Sequence, residues 1–188
     1  MKTIVTFLFV ASTLLADDRL TITTTDGQTY KDALIKELRP TGIEVICRSG
    51  VLTIPRGKLT KDLQARYYGY GDDELAKHIK QGLDGIYGYR EDVMAYAGEA
   101  IQLKNDQFTY STFTDASDPN DHRGPVHGRF AVVGNWLVMS DPKIGDFSRV
   151  IVVIDGRTAL LTPKFFKQWK DTGRLDKQTE PQYQRKPK

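Results

Sequence analysis

Residues Ile101–Ser140 read IQLKNDQFTYSTFTDASDPNDHRGPVHGRFAVVGNWLVMS. Apolar and polar side chains alternate through Ala100–Leu103 and again through Phe108–Thr114, with Lys104–Gln107 as the turn between them. That period of two belongs to strands buried on one face of a sheet. A polar stretch, Thr114–His127, interrupts the pattern, and then Val126–Val133 and Trp136–Ser140 face each other across Gly134-Asn135. Glycine supplies the positive φ that a tight hairpin turn needs. The stretch therefore specifies antiparallel β-structure with one long loop.

The pattern continues on both sides. Gly85–Tyr89 opens the unit, and Arg149–Ile154 and Arg157–Leu161 form a further hairpin over Asp155-Gly156. About seven strands joined mostly by short turns read as a meander that closes into a small barrel. Thr162-Pro163 starts a helix, with a capping hydroxyl and proline in the first turn. Phe165, Phe166 and Trp169 give that helix an apolar side, Gly173 ends it, and it is expected to dock over an open end or edge of the barrel. This unit spans residues 84–174. Residues 175–188, rich in Gln, Lys and Pro, read as a disordered basic tail.

Upstream, residues 19–70 form a second strand-rich unit. Leu20–Thr24 and Tyr30–Leu38 flank Asp26-Gly27. Ile43–Arg48 and Val51–Ile54 follow, separated by Pro40-Thr41-Gly42 and Ser49-Gly50, and Lys61–Tyr67 is a short helix after Thr60. Even spacing of short strands is the pattern of a small barrel. Tyr67–Gly71 reads as an aromatic–glycine hinge. Residues 71–83 read as a linker helix, with Asp72-Asp73-Glu74 at its positive end and Leu75, Ile79 and Leu83 on one stripe. His78 lies beside that stripe as a boundary residue.

The run L-T-x-x-x-D-G-x-x-Y, P-x-G-I-x-V, S-G-V, I-P and L-x-x-x-L-Q-x-x-Y-G-Y resembles a small SH3-like module of secreted bacterial proteins, similar to the SLA1 homology 1 domain. The resemblance implies a fold and an interaction role, without catalytic residues. In the second unit G-x-Y, E-x-I-x-L-x-x-D, F-x-Y, G-x-F and G-x-x-L-V-M resemble lipocalin-like eight-stranded barrels, which implies a barrel wide enough for side chains or one small ligand. The expected fold class is mainly β: two small antiparallel barrels, SH3-like and then lipocalin-like, with a linker helix and a C-terminal helix.

Composition sets the outer bounds. The chain has 188 residues, 39% hydrophobic and 10% aromatic, enough apolar area for packed cores. Met1–Ala16 has a lysine followed by the apolar run Ile4–Leu15, which matches a cleaved signal peptide and is short for a membrane span. The expected location is secreted or periplasmic, with no membrane span in the mature chain. The single cysteine, Cys47, shares a face with Ile43 and Val45 and reads as a small apolar core residue. With 27 basic against 24 acidic residues and no clustered basic–aromatic face in the sequence, no nucleic-acid partner is expected.

Two groups of candidate site residues follow. If the second barrel holds a cavity, Tyr87, Tyr110, Phe130 and Trp136 are its lining, their hydroxyls and indole N–H supplying the few polar groups. The polar loop offers Asp115, Asp118, Asp121, His122 and His127, carboxylates and imidazoles capable of acid–base work or of holding a cation. The same residue types are turn formers, and no recognised catalytic, metal or nucleotide motif is present. The expectation is a non-catalytic binding protein without a cofactor, its partner a protein, an envelope component or a small apolar ligand. The alternatives are a hydrolase, metal-dependent or acid–base, built on 115–127, and a structural envelope protein.

Overall fold

The computed structural model describes residues 19–88, 97–114, 125–141, 145–175 and 181–185; the signal-like segment Met1–Ala16 lies outside them. Among the described residues, twelve strands and three α-helices are arranged as a four-stranded antiparallel sheet beside a closed eight-stranded antiparallel barrel.

The sheet contains β1 (Leu20–Thr23), β2 (Thr29–Arg39), β3 (Gly42–Cys47) and β4 (Gly50–Pro55), in that order. The turn after β1 is built on Gly27 at φ 84°. β2 carries a register shift between Ile35 and Glu37 where it pairs with β3, and such bulges bend a strand. Gly42 is required by close approach, since a Cβ there would lie 2.2 Å from the Ile54 carbonyl oxygen. A single 3-10 turn, Arg56–Lys58, brings the chain back beside β1, where Thr25 N–H donates to the Lys58 carbonyl at 2.9 Å.

Helix α1 (Lys61–Tyr68) ends on Gly69 in the left-handed conformation. Within Tyr67–Gly71, Tyr67 and Tyr68 are each 1% exposed and packed into the core, while Tyr70 and Gly71 are exposed. Helix α2 (Asp73–Gln81) is capped by the Asp72 side chain, which accepts from Leu75 N–H at 2.9 Å.

The barrel strands are β5 (Gly85–Gly88), β6 (Ala97–Lys104), β7 (Gln107–Thr114), β8 (Val126–Val133), β9 (Trp136–Asp141), β10 (Gly145–Ile154), β11 (Arg157–Leu161) and β12 (Gln182–Arg185). Helix α3 (Pro163–Thr172) lies in the chain between β11 and β12. β12 corrects the expectation of a disordered tail. It pairs with β11 through Ala159↔Tyr183 and with β5 through Tyr183↔Gly88, so it closes the barrel. The β6–β7 and β10–β11 hairpins turn on Asn105-Asp106 and Asp155-Gly156, with both central residues at positive φ.

Two hydrophobic cores result. One fills the barrel, where Tyr87, Ile101, Leu103, Phe108, Leu137, Met139, Ile151 and Leu160 point inward and Leu75 and Leu83 close over them. The other joins the inner face of the sheet to the outer wall of the barrel. Ile22, Ile35, Leu38, Ile43 and Val45 meet Trp136, Val150, Val152, Ala159 and Leu161, with Tyr67, Tyr68 and Phe166 between them. The β10 run Val150-Ile151-Val152 explains both cores, because its alternate residues are buried on opposite faces of the wall. Helix α3 docks in this seam, against β2, β10 and β11, rather than over an end of the barrel. Phe166, 1% exposed, is its anchor, and Trp169 is only partly buried.

Candidate functional site

Four side chains from four strands converge inside the barrel. Glu99 projects from β6, Tyr110 from β7, Arg149 from β10 and Gln182 from β12. Arg149 Nη2 donates to Glu99 Oε1 at 2.8 Å and to Oε2 at 2.9 Å. Gln182 Nε2 donates to Oε1 at 2.7 Å, and the Tyr110 hydroxyl donates to Oε2 at 2.8 Å. The carboxylate is thus held by three donors, and its charge is matched by the guanidinium, so the cluster as a whole is neutral.

The cluster is well shielded. The Arg149 and Glu99 side chains are 11% and 18% exposed, and Gln182 is 3% exposed. An aromatic group supports it: Phe147 stands edge-on to Phe108 at 5.4 Å, touches Tyr110 at 5.4 Å and lies under the Arg149 guanidinium at 5.8 Å. Two polar atoms of the cluster, Arg149 Nε and Gln182 Oε1, are buried with no hydrogen-bond partner. Such orphans are costly and rare in native interiors.

The barrel is divided along its length. At the α2 end it is packed solid, with Tyr87, Ile101 and Leu137 fully buried. The Tyr87 hydroxyl donates to the Leu83 carbonyl at 2.9 Å, and burial raises its pKa well above the ordinary tyrosine value. Tyr87 therefore braces the end of α2 instead of lining a cavity. At the other end lie Glu99, Tyr110 and Arg149, all partly exposed.

Of the four residues expected to line a cavity, the structure brings Tyr110 to this polar end and Tyr87 to the packed end, while Phe130 packs against the barrel core beside the β6–β7 turn, its N–H donating to the Asp106 carbonyl at 2.9 Å. Trp136 faces the opposite way. β9 alternates, so Leu137 and Met139 point inward while Trp136 points into the seam, where its ring lies 5.9 Å from that of Tyr68. Its Nε1 is buried without a partner, as is the neighbouring Asn135 Oδ1. In the polar loop, Asp115, Asp118, Asp121 and His122 lie outside the described residues. His127 is described, and it sits on the outer wall with Nδ1 3.0 Å from Thr109 Oγ1.

Glu99, Arg149 and Gln182 were not among the expected site residues. The first two carried a signal: Glu99-x-Ile101-x-Leu103 and Arg149-x-Ile151-x-Val153 each place a charge on the apolar face of an alternating strand. A charge there needs a partner, and each is the partner of the other. Gln182 gave none, since it lies in a polar segment without alternation.

Elsewhere, Cys47 is partly buried with Sγ 3.0 Å from Ser49 Oγ. His78 Nδ1 lies 3.0 Å from Thr158 Oγ1. Among the described residues no three His, Cys, Asp or Glu side chains gather as a metal site, and no helix is long and apolar enough to cross a membrane. Compared with protein-family models, curated proteins and solved structures, the chain matches none.

Proposed function

We propose that this chain is an exported, non-catalytic binding protein, in which an SH3-like module packs side-on against a lipocalin-like barrel and the polar end of the barrel takes a small ligand. The observation that carries this reading is the pair of orphaned polar atoms, the Arg149 Nε–H donor and the Gln182 Oε1 acceptor, within a cluster already neutral in charge. A hydroxyl or carboxamide satisfies both, accepting from one and donating to the other. An anion is disfavoured, because the Glu99 carboxylate already occupies the donors that an anion needs. The packed α2 end favours a ligand held by its polar head at the barrel end over one with a long apolar chain. The N-terminal run Met1–Ala16 supports export, and the return of Lys58 beside Thr25 supports the SH3-like reading of the sheet.

The test is a thermal-shift panel on residues 17–188, with short alcohols, primary amides and carboxylates of equal chain length. A ligand that binds only the folded state raises the midpoint with concentration. The alcohols and amides are expected to raise it and the carboxylates are not. Gln182→Met is expected to abolish the response. A panel that leaves the midpoint unmoved, or a response that survives Gln182→Met, would overturn the reading.

A further inference from the structure

The outer wall of the barrel carries a second surface, independent of the polar end. Across β6, β7 and β8 the register sets Gln102 beside Thr109 beside His127, and Lys104 beside Gln107 beside Arg129. These six outward side chains form two rows of three, and they line a shallow cleft of about 410 Å³. Gly128 also lines it, and a Cβ there would point the other way, into the Phe108 ring inside the barrel at 2.7 Å.

Among the described residues no carboxylate lines this cleft. Lys104 has no ion-pair partner among the described residues, and Arg129 reaches Asp106 only at 3.9 Å, with both side chains largely exposed. A contact of that kind leaves most of the guanidinium's donors free. Lys104 and Arg129 flank Gln107 on adjacent strands, so their backbones are about 10 Å apart, twice the strand spacing. That span suits an extended ligand with more than one negative group. Gln107 stands between the cations, and Gln102 and Thr109 lie in the adjoining row; amides and hydroxyls both donate and accept.

We infer that this face binds an anionic polysaccharide laid across β6–β8, with Lys104 and Arg129 taking its acidic groups and Gln102, Gln107, Thr109 and His127 its hydroxyls. Single-stranded nucleic acid fits the face less well. Bases need an exposed aromatic on which to stack, and the aromatic here, Phe108, is 2% exposed beneath the wall.

The experiment uses residues 17–188 with dextran sulfate, polygalacturonate, neutral dextran, inorganic phosphate and a single-stranded oligonucleotide as probes. Both acidic polysaccharides are expected to bind, with affinity that falls as salt rises. Lys104→Glu with Arg129→Glu is expected to weaken that binding by roughly tenfold or more, as reversal of two contact charges does. A control, Lys61→Glu with Lys77→Glu on other surfaces, is expected to leave it unchanged. The inference is overturned if neither polysaccharide binds, or if the control weakens binding equally. Equal binding of neutral dextran, of phosphate alone or of the oligonucleotide also overturns it. The thermal midpoints of both charge-reversed proteins show that each is folded.

Discussion

Arg149 reaches from β10 across the barrel to β6 and sets one guanidinium nitrogen 2.8 Å and 2.9 Å from the two carboxylate oxygens of Glu99. Both side chains are largely withdrawn from water, so their attraction is offset by the cost of desolvating two charges. The asymmetry is testable. Glu99→Leu or Arg149→Met alone strands the surviving charge and is expected to cost about 3–5 kcal/mol. The double variant removes both charges and is expected to lie within about 1 kcal/mol of the parent, or above it. Urea unfolding of all four proteins closes the cycle. Single variants that cost under about 1 kcal/mol would mean that the pair is solvated.

Phe166 and Trp136 approach one core from opposite sides, the first on α3 and the second on the barrel wall. Because that core belongs to the sheet and the barrel alike, the chain is expected to unfold in one transition rather than two. Phe166→Ala is expected to cost about 3–5 kcal/mol, the range for truncating a buried aromatic. Trp169→Ala is expected to cost less, since Trp169 is only partly buried. Calorimetry checks both points. Two separated transitions, or a larger loss at Trp169 than at Phe166, would contradict the shared core.

The barrel was legible because its strands alternate and its turns carry Gly134, Gly156 and an Asn-Asp pair. Local spacing reports such features directly. The seam was not legible, because Val150-Ile151-Val152 is apolar at every position and a period of two cannot say which face meets which neighbour. Trp136 illustrates the consequence: its identity suggested a lining residue, and only the register of β9 turns it outward. β12 escaped for a related reason. Its residues, Gln182, Tyr183, Gln184 and Arg185, are mostly polar, and it becomes a strand only by pairing with β11 and β5, far away in sequence. The cross-barrel cluster was half legible, in two charges on apolar faces whose partnership required the closed barrel.

Asp26 gives a pH signature confined to the sheet. A hydrogen bond from Thr24 and then one from Lys58 hold its carboxyl down at about 2. Lys58 Nζ lies 2.9 Å from Asp26 Oδ2, and its own pKa is raised by that partner. A carboxyl whose folded pKa is depressed adds stability above its unfolded pKa and loses it as pH falls through the folded value. Asp26→Asn is therefore expected to lower the midpoint at neutral pH. The gap to the parent is expected to narrow below pH about 4 and to vanish near pH 2. Thermal melts from pH 2 to pH 7 check this. A gap that persists at the acid limit would show that the turn geometry, and not the charge, is what the substitution removes.

The last eight residues carry the strongest test of the closed barrel. Residues 181–185 hold β12, which fills the place between β11 and β5. Gln182 sends Nε2 to the Glu99 carboxylate, and Tyr183, 7% exposed, packs in the seam under the Arg157 guanidinium at 4.6 Å. Truncation after Leu175 removes all of this and leaves the facing edges of β11 and β5 with unpaired backbone groups. Unpaired edges recruit other strands, so the truncated protein is expected to melt many degrees lower and to associate on size-exclusion chromatography. Truncation after Arg185 removes only Lys186-Pro187-Lys188 and is expected to leave both measurements near those of the parent. Adding residues 181–185 back as a free peptide is expected to recover part of the lost stability, because a strand missing from a sheet can bind in trans through its main chain. A protein truncated after Leu175 that stays monomeric and melts within roughly one degree of the parent would show that the barrel does not depend on β12.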